Sequence, residues 1–305
     1  MKQNAEALHH LARGAIVTGL ALLVIRLSQT GDILLYIAPH LAVYAQIAAV
    51  GLLALGVYQF YFAVRSMRGH SPACACGHDH EGHSHPMPAG PMRITGLYGL
   101  FVLPLALCLA MPSSAFAGTI ADSKGMNLGV GTTTAFNNGK EDAELIELEG
   151  DESPELRALF RSRAYDRDFA KLGMLLYQQE TIEMKDDWFL EKLETINKFL
   201  DPFQGKSIEI TGFVYRQEGL AEGLFIVGRM AMTHCIADIA PYGMIVEAPQ
   251  ASSFKDDQWV TVRGTIGRQS LGDREVMKVV ADSVTEAKPA SIPYVYPDRD
   301  FASKL

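Results

Sequence analysis

The chain has little cysteine, and this scarcity excludes a disulfide-stapled scaffold. Only four cysteines occur in 305 residues: Cys74, Cys76, Cys108 and Cys235. Cys74 and Cys76 lie too close together in the sequence to form a disulfide framework, and Cys108 falls inside an apolar run. Cys235 stands alone in the second half of the chain, where it is expected to be a free thiol or a metal ligand.

Charged residues are scarce at the start of the chain, and basic residues are outnumbered in the rest. Residues 1–117 hold six basic and four acidic side chains, a net charge of +2, which leaves −10 for residues 118–305. Proteins that bind nucleic acid carry a basic patch or stripe, and the acidic half has none. No nucleic-acid partner is therefore predicted.

Three long apolar segments fill the amino-terminal part. They cover about 14–35, 41–64 and 94–117, and a helix that crosses a bilayer needs about 20 apolar residues. The second and third segments are uncharged, whereas Arg26 and Asp32 interrupt the first. Arg26 either marks the membrane edge or pairs with Asp32 or a partner protein. The sequence thus predicts a membrane domain of three spans over residues 1–117, in contact with the lipid bilayer.

The distribution of basic residues predicts how this domain is oriented in the plasma membrane. Loops with more Lys and Arg stay in the cytoplasm, so the amino terminus and the loop 65–93 are expected to be cytoplasmic. The third span then places the carboxyl-terminal half outside. Cleavage between Ala117 and Gly118, as in a signal peptide, would release that half and is an open alternative. The basic residues concerned are Lys2, Arg13, Arg65, Arg68 and Arg93.

The second half is predicted to be a linker followed by an exported, mainly β domain. Residues 118–152 are the linker, and 153–305 contain helices and then strands. Ser153 is an expected helix cap before Pro154, and residues 186–200 are amphipathic. Five β-rich runs then follow within about 80 residues, which favours a five-stranded barrel resembling the oligonucleotide/oligosaccharide-binding (OB) fold. The five runs are 207–216, 224–232, 242–248, 259–268 and 276–287.

The segment from 74 to 85 is rich in side chains that bind metals. Thiolates and imidazoles suit zinc and other transition metals, and the alternating spacing with glycine favours a chelating tract over a folded zinc finger. A hydrophilic loop without a role for its histidines is the alternative. The candidate ligands are Cys74, Cys76, His78, His80, His83 and His85.

A second candidate metal site lies between two predicted strands. There His234, Cys235 and Asp238 form a His-Cys-x-x-Asp motif, and all three side-chain types bind zinc. The alternative is structural, with a buried cysteine and an aspartate that caps a turn. Spacing alone favours the structural alternative.

The chain resembles the YcgQ-like family of bacterial membrane proteins. The resemblance covers most of the chain, and its central pattern is Arg…Cys/His-Cys-x-x-Asp…Pro-x-Gly. His234 stands where many members have cysteine, and both types can bind zinc. The resemblance implies action with a separate multi-span permease and a link to metals, but no reaction. The matching residues are Thr30, Gly31, Tyr36, Ile37 and Pro39 in the first half and Arg229, His234, Cys235, Asp238, Pro241 and Gly243 in the second.

Together these features predict a membrane-anchored accessory subunit of a permease-type transporter. Its expected partner is a multi-span permease in the same membrane, and its expected cofactor is zinc or another transition metal. One alternative is an exported OB-like module that binds a protein or an envelope ligand without metal. Another is an enzyme with Cys235 as nucleophile, but adjacent residues seldom orient as nucleophile and base without a third, distant group, so no catalytic residue is predicted.

Overall fold

The computed structural model describes residues 2–68, 91–110, 121, 124–129, 145–146, 152–217, 219–271 and 274–305. The chain divides into two compact units, Met1–Ser114 and Ala115–Leu305. The Cys/His-rich segment 74–85 and most of the linker 118–152 lie outside the described residues.

The first unit is helical in its described part. Helix α1 spans Lys2–Thr30, α2 spans Pro39–Met67 and α3 spans Pro91–Ala110. Of these, Ala7–Thr30 and Pro39–Met67 are long and apolar enough to cross a membrane, which agrees with the first two predicted spans. The apolar stretch of α3 is shorter, so the described residues do not establish a third span.

The first predicted span ends earlier than its apolar pattern indicated. The prediction ran to residue 35, but α1 stops at Thr30 because Gly31 takes a left-handed conformation with φ of 81°. Asp32 begins a separate 3₁₀ helix, and its carboxylate accepts a hydrogen bond from the Thr30 hydroxyl at 2.7 Å. Thr30 is thus the partner that the structure gives to Asp32.

Helix α1 packs against α2 through small side chains and one polar pair. A Cβ atom on Gly56 of α2 would collide with the Thr18 hydroxyl of α1, so the glycine allows the two helices to approach closely. Near the amino end of α1, His10 Nδ1 lies 2.8 Å from the side-chain oxygen of Gln59. Both contacts tie together the two helices that qualify as membrane spans.

The second unit combines short helices with seven strands in its described part. The predicted amphipathic helix exists, but it breaks at Phe199 into two helices instead of running from 186 to 200. Ser153 caps the helix that begins at Pro154, as predicted, with its hydroxyl accepting from the Leu156 N–H at 3.3 Å. The helices are α4 Pro154–Leu159, α5 Arg167–Tyr177, α6 Phe189–Lys198, α7 Leu200–Phe203 and α8 Phe301–Lys304.

All five predicted strands are present, with two short ones in addition. The added strands have four and two residues, and they pair in parallel with the first and second predicted strands. The strands are β1 Thr181–Met184, β2 Ser207–Tyr215, β3 Leu224–Ala231, β4 Ala240–Glu247, β5 Trp259–Leu271, β6 Arg274–Glu286 and β7 Tyr294–Val295.

The sheet has the order β1-β2-β5-β6-β4-β3-β7, with a further pairing between β2 and β3. Strand β2 pairs with β5 over Ser207–Phe213 and with β3 over Phe213–Tyr215, both antiparallel. Strands β4 and β6 pair in parallel, and the other pairs among β3 to β6 are antiparallel. One mainly β domain therefore contains all seven strands.

The core of this domain lies between the sheet and helices α5 and α6. The predicted apolar face of the amphipathic helix is buried: Phe189, Leu193, Ile196 and Leu200 are at most 9% exposed. They join Ile208, Ile210, Val227, Val246 and Val262 from alternating strand positions in one cluster. The periodicities of helix and strand in the sequence thus report the buried faces correctly.

Two glycines in similar sequence contexts let neighbouring strands approach closely. A Cβ atom on Gly212 of β2 would collide with the Gly228 carbonyl of β3, and one on Gly264 of β5 with the Val280 carbonyl of β6. Gly264 also follows a shift in the register between β5 and β6. Neither backbone contact can relax by a side-chain rotation.

We expect Gly264→Ala to lower the free energy of unfolding of the second unit by about 2–3 kcal/mol, because the new methyl group meets backbone. Gly267→Ala on the same strand is the matched control, since its nearest neighbours are 3.8 Å away. Both tryptophans, Trp188 and Trp259, lie in this unit, so their fluorescence during urea unfolding of the full chain in detergent reports it selectively. Equal losses of unfolding free energy in Gly264→Ala and Gly267→Ala would contradict the close backbone contact at Gly264.

Candidate functional site

The His-Cys-x-x-Asp motif forms a tight structure between β3 and β4. Cys235 precedes a 3₁₀ helix of Ile236–Asp238, and the Asp238 carboxylate folds back over the turn. It accepts backbone hydrogen bonds from Thr233 at 3.0 Å, His234 at 2.7 Å and Cys235 at 3.3 Å. One carboxylate therefore satisfies three successive N–H groups, as a capping residue does.

His234 lies between a carboxylate and a guanidinium. Its Nδ1 atom is 3.0 Å from Asp238 Oδ2, and its Nε2 atom is 2.7 Å from Arg299 Nη2. Because a guanidinium can only donate, Nε2 acts as the acceptor and Nδ1 carries the proton that points to Asp238. Asp238 and Arg299 thus set the orientation and the tautomer of the ring.

The pKa of Asp238 lies below its ordinary value. Partial burial acts to raise this pKa, but the N–H groups of Thr233, His234 and Cys235 and the His234 ring outweigh it by stabilising the charged carboxylate. Asp238 is therefore ionised at neutral pH and available to hold the turn.

The described residues contain no group of three His, Cys, Asp or Glu side chains arranged to hold a metal ion. Cys235 is a free thiol whose sulfur accepts from the Asp238 N–H, and Asp238 is occupied by backbone donors. The arrangement has the carboxylate–histidine pair that often orients a metal-bound imidazole. A metal at Nε2 would take the place of the Arg299 contact, with Asp238 orienting the ring instead of binding. The metal hypothesis for His234, Cys235 and Asp238 stays a prediction.

Asp238 also lines a cavity of about 300 Å³ next to the motif. Glu191 of α6 lies on this cavity and is only 6% exposed. One of its oxygens accepts from the Asp298 N–H at 2.8 Å, while the other has no hydrogen-bond partner in the described part of the chain. Burial raises the pKa of Glu191 above its ordinary value, against the opposing effect of backbone hydrogen bonds.

Arg229 is a further candidate functional residue, which the predicted metal ligands did not include. It lies on β3, one residue beyond the last β3 residue that pairs with β2, and is only 3% exposed. Its Nη1 atom is 2.6 Å from Asp186 Oδ1, and its guanidinium carbon lies 5.2 Å from the centre of the Trp259 ring. The available sequence signal was the family pattern, in which Arg229 is the arginine that precedes the His-Cys-x-x-Asp motif.

The guanidinium of Arg229 is incompletely paired. Its Nε and Nη2 atoms are buried and have no hydrogen-bond partner among the described residues. A buried donor without a partner costs about 1–3 kcal/mol. Arg229 also lines a cavity of about 390 Å³, separate from the one beside the motif.

Comparisons with known proteins identify both halves of the chain. The model of the DUF1980 N-terminal domain matches residues 12–127, and that of the DUF1980 C-terminal domain matches residues 159–297. The chain belongs to this YcgQ-like DUF1980 family. The resemblance noted in the sequence is thereby confirmed.

Two relatives connect the family to membranes. UPF0703 protein YcgQ of Bacillus subtilis is 29% identical over 203 residues, covering 66% of this chain and 68% of that protein. A protein of Streptococcus mutans is 24% identical over 202 residues, and the match covers 65% of this chain and 72% of that protein. Its name describes a candidate subunit of a two-component membrane permease complex. Neither name describes an enzyme, in agreement with the prediction that the chain is not one.

We expect Asp238→Asn to lower the free energy of unfolding of the second unit by about 1 kcal/mol at pH 7, since the amide has no charge and only one acceptor oxygen for the three N–H groups. Because the folded-state pKa is lowered, the carboxylate stabilises the fold above its ordinary pKa of 3.8, and this contribution is lost as pH falls through the folded-state value. Urea unfolding between pH 2 and pH 7 tests this, with exposed Asp282→Asn as the control. A difference that persists unchanged at the acid end would contradict the role of Asp238.

Proposed function

We propose that the chain is a membrane-anchored accessory subunit of a permease complex. The observation that carries this proposal is the name of the Streptococcus mutans relative, which covers two thirds of this chain. Two helices long enough to cross a bilayer support the membrane location. Such a small number of helices seldom forms a transport path, so the permease itself is a separate multi-span protein.

The proposal includes three spans and an exported second unit. The third span is the segment that begins with α3, and the cytoplasmic side holds the amino terminus and the loop 65–93. The basic residues on the flanks support this arrangement through the positive-inside rule. An odd number of spans then places residues 118–305 outside the cytoplasm.

The exported unit is proposed to be a closed OB-like barrel that the anchor presents to the permease. Strand pairing supports closure. Strand β2 pairs with β5, its neighbour in the sheet order, and also with β3, which lies near the opposite end of that order. The parallel pairing of β4 with β6 and the antiparallel pairing of the other strands among β2 to β6 are further support. In this arrangement the His-Cys-x-x-Asp turn connects the second and third strands of the barrel.

Metal binding is the finer part of the proposal. The His234 imidazole and the Cys235 thiol supply the ligands, Asp238 orients the ring, and the thiols and imidazoles of the loop 65–93 collect the metal on the other side. Zinc or another transition metal suits these groups. The hydrogen bond from His234 Nδ1 to Asp238 supports the assignment, because it fixes Nε2 as the atom that would bind the metal once the metal displaces Arg299.

The subunit role predicts a stoichiometric complex. The full chain with a tag after Leu305 is purified from native membranes in mild detergent, and one multi-span membrane protein should accompany it in a fixed ratio. Protease added to intact spheroplasts before solubilisation should remove the tag, because the proposal places Leu305 outside. A chain that purifies alone at the mass of its own oligomer would contradict the subunit role, and a protected tag would contradict the orientation.

The metal site predicts that zinc bound to the full chain depends on Cys235. Because the loop 65–93 also offers ligands, the test is made in a background with Cys74 and Cys76 changed to Ser and His78, His80, His83 and His85 changed to Ala. There Cys235→Ser should abolish the residual zinc measured by elemental analysis after dialysis, while Cys108→Ser should leave it unchanged. Equal zinc contents in the background protein and in both of its cysteine variants would contradict the metal site. The motif would then be structural, which favours the alternative of a module that binds a protein or an envelope ligand.

A further inference from the structure

Arg229 carries hydrogen-bonding capacity that the fold leaves unused. The Nε–H group and one Nη2–H group lie side by side on one edge of a guanidinium, and in Arg229 this edge has no partner among the described residues. A carboxylate has two oxygens at the spacing of these two donors and can accept from both. The unused edge therefore matches an oxyanion, either a carboxylate or a phosphate.

Asp186 does not fill this role. Its carboxylate contacts Nη1, on a different side of the guanidinium, and its side chain is 60% exposed. Trp259 contributes a ring near the guanidinium carbon, which favours a planar cation but accepts no hydrogen bond at the unused edge. The described neighbours thus hold Arg229 in place without completing its hydrogen bonds.

The surrounding cavity restricts the kind of ligand that fits. Its volume of about 390 Å³ is within the range of sites for small molecules. Besides Arg229, two lysines and four acidic residues line it, so the lining carries a formal net charge of −1. A dianion such as phosphate is disfavoured there more strongly than a singly charged carboxylate, and a zwitterion that carries a carboxylate is disfavoured least. The charged lining residues are Glu183, Lys185, Asp186, Asp187, Glu209 and Lys288.

We propose that the cavity at Arg229 binds a small carboxylate ligand through the Nε and Nη2 edge of the guanidinium. The ligand takes the two unused donors while Asp186 keeps Nη1. Two observations on this chain support the site: an arginine that is only 3% exposed and has two unpaired donors, and a cavity that the same residue lines. Both donors are buried, so the ligand reaches them by displacing the side chains that cover the guanidinium. The proposal does not depend on the permease complex or on metal at His234.

The test uses the full chain in detergent and two carboxylate probes, acetate and glycine, with inorganic phosphate for comparison at constant ionic strength. Because Trp259 lies beside Arg229, tryptophan fluorescence should change in a saturable way as acetate or glycine is added. The same probes should raise the Tm of the second unit. No saturable change with either probe, or tighter binding of phosphate than of acetate, would overturn the proposal.

Three variants locate the site. Arg229→Lys keeps the charge but removes the two-donor edge, and it should weaken acetate binding about tenfold or more. Arg268→Lys is the matched control, since Arg268 pairs with Asp201 and Glu275 away from the cavity. Asp186→Asn removes the carboxylate that shares the guanidinium, and it should tighten binding.

The outcomes separate a binding site from a structural arginine. Unchanged acetate affinity in Arg229→Lys, or equal losses in Arg229→Lys and Arg268→Lys, would contradict the proposal. If Arg229→Lys fails to fold by circular dichroism, Asp186→Asn decides the question. A gain in affinity supports a site at Arg229, and an unchanged or weaker affinity overturns it.

Discussion

Close backbone contact at a few glycines is the constraint on which the β domain depends. Strand β2 can pair with both β3 and β5 only because Gly212 has no side chain where the Gly228 carbonyl approaches. In the same way, Gly264 of β5 leaves room for the backbone of β6. Since a Cβ would meet backbone in each case, no rotamer change could make room for it. The position of β3, and of the His-Cys-x-x-Asp turn that follows it, therefore depends on the contact at Gly212.

Strand β3 carries both candidate sites, and the two sites use charge in opposite ways. The turn after β3 exposes His234 and satisfies Asp238 with backbone donors, so its charges are stabilised where they stand. Arg229 within β3 is buried and incompletely paired, which costs free energy unless a ligand or a partner completes it. A buried polar group without a partner calls for an explanation, which makes Arg229 a candidate functional residue on the same strand.

Membership in the YcgQ-like family and the two apolar helices place these sites on a protein associated with a membrane. The anchor and the β domain differ sharply in charge, with +2 on residues 1–117 and −10 on the rest. An acidic domain on a membrane-anchored chain agrees with the proposed role as a permease subunit that delivers a solute. The proposed carboxylate site and the proposed metal site would each give this delivery a chemical basis.

The sequence by itself determined the features that local patterns encode: two long apolar helices, the Ser153 cap, the buried face of α6 and five strands. It failed where stability comes from distant partners. Strands β1 and β7 are too short for a pattern and exist because β2 and β3 pair with them. Likewise, only tertiary structure brings Arg299 to His234 and Asp186 to Arg229, across 65 and 43 positions of the chain. Periodicity reports which face of an element is buried, but it holds no information on which distant side chain lies opposite.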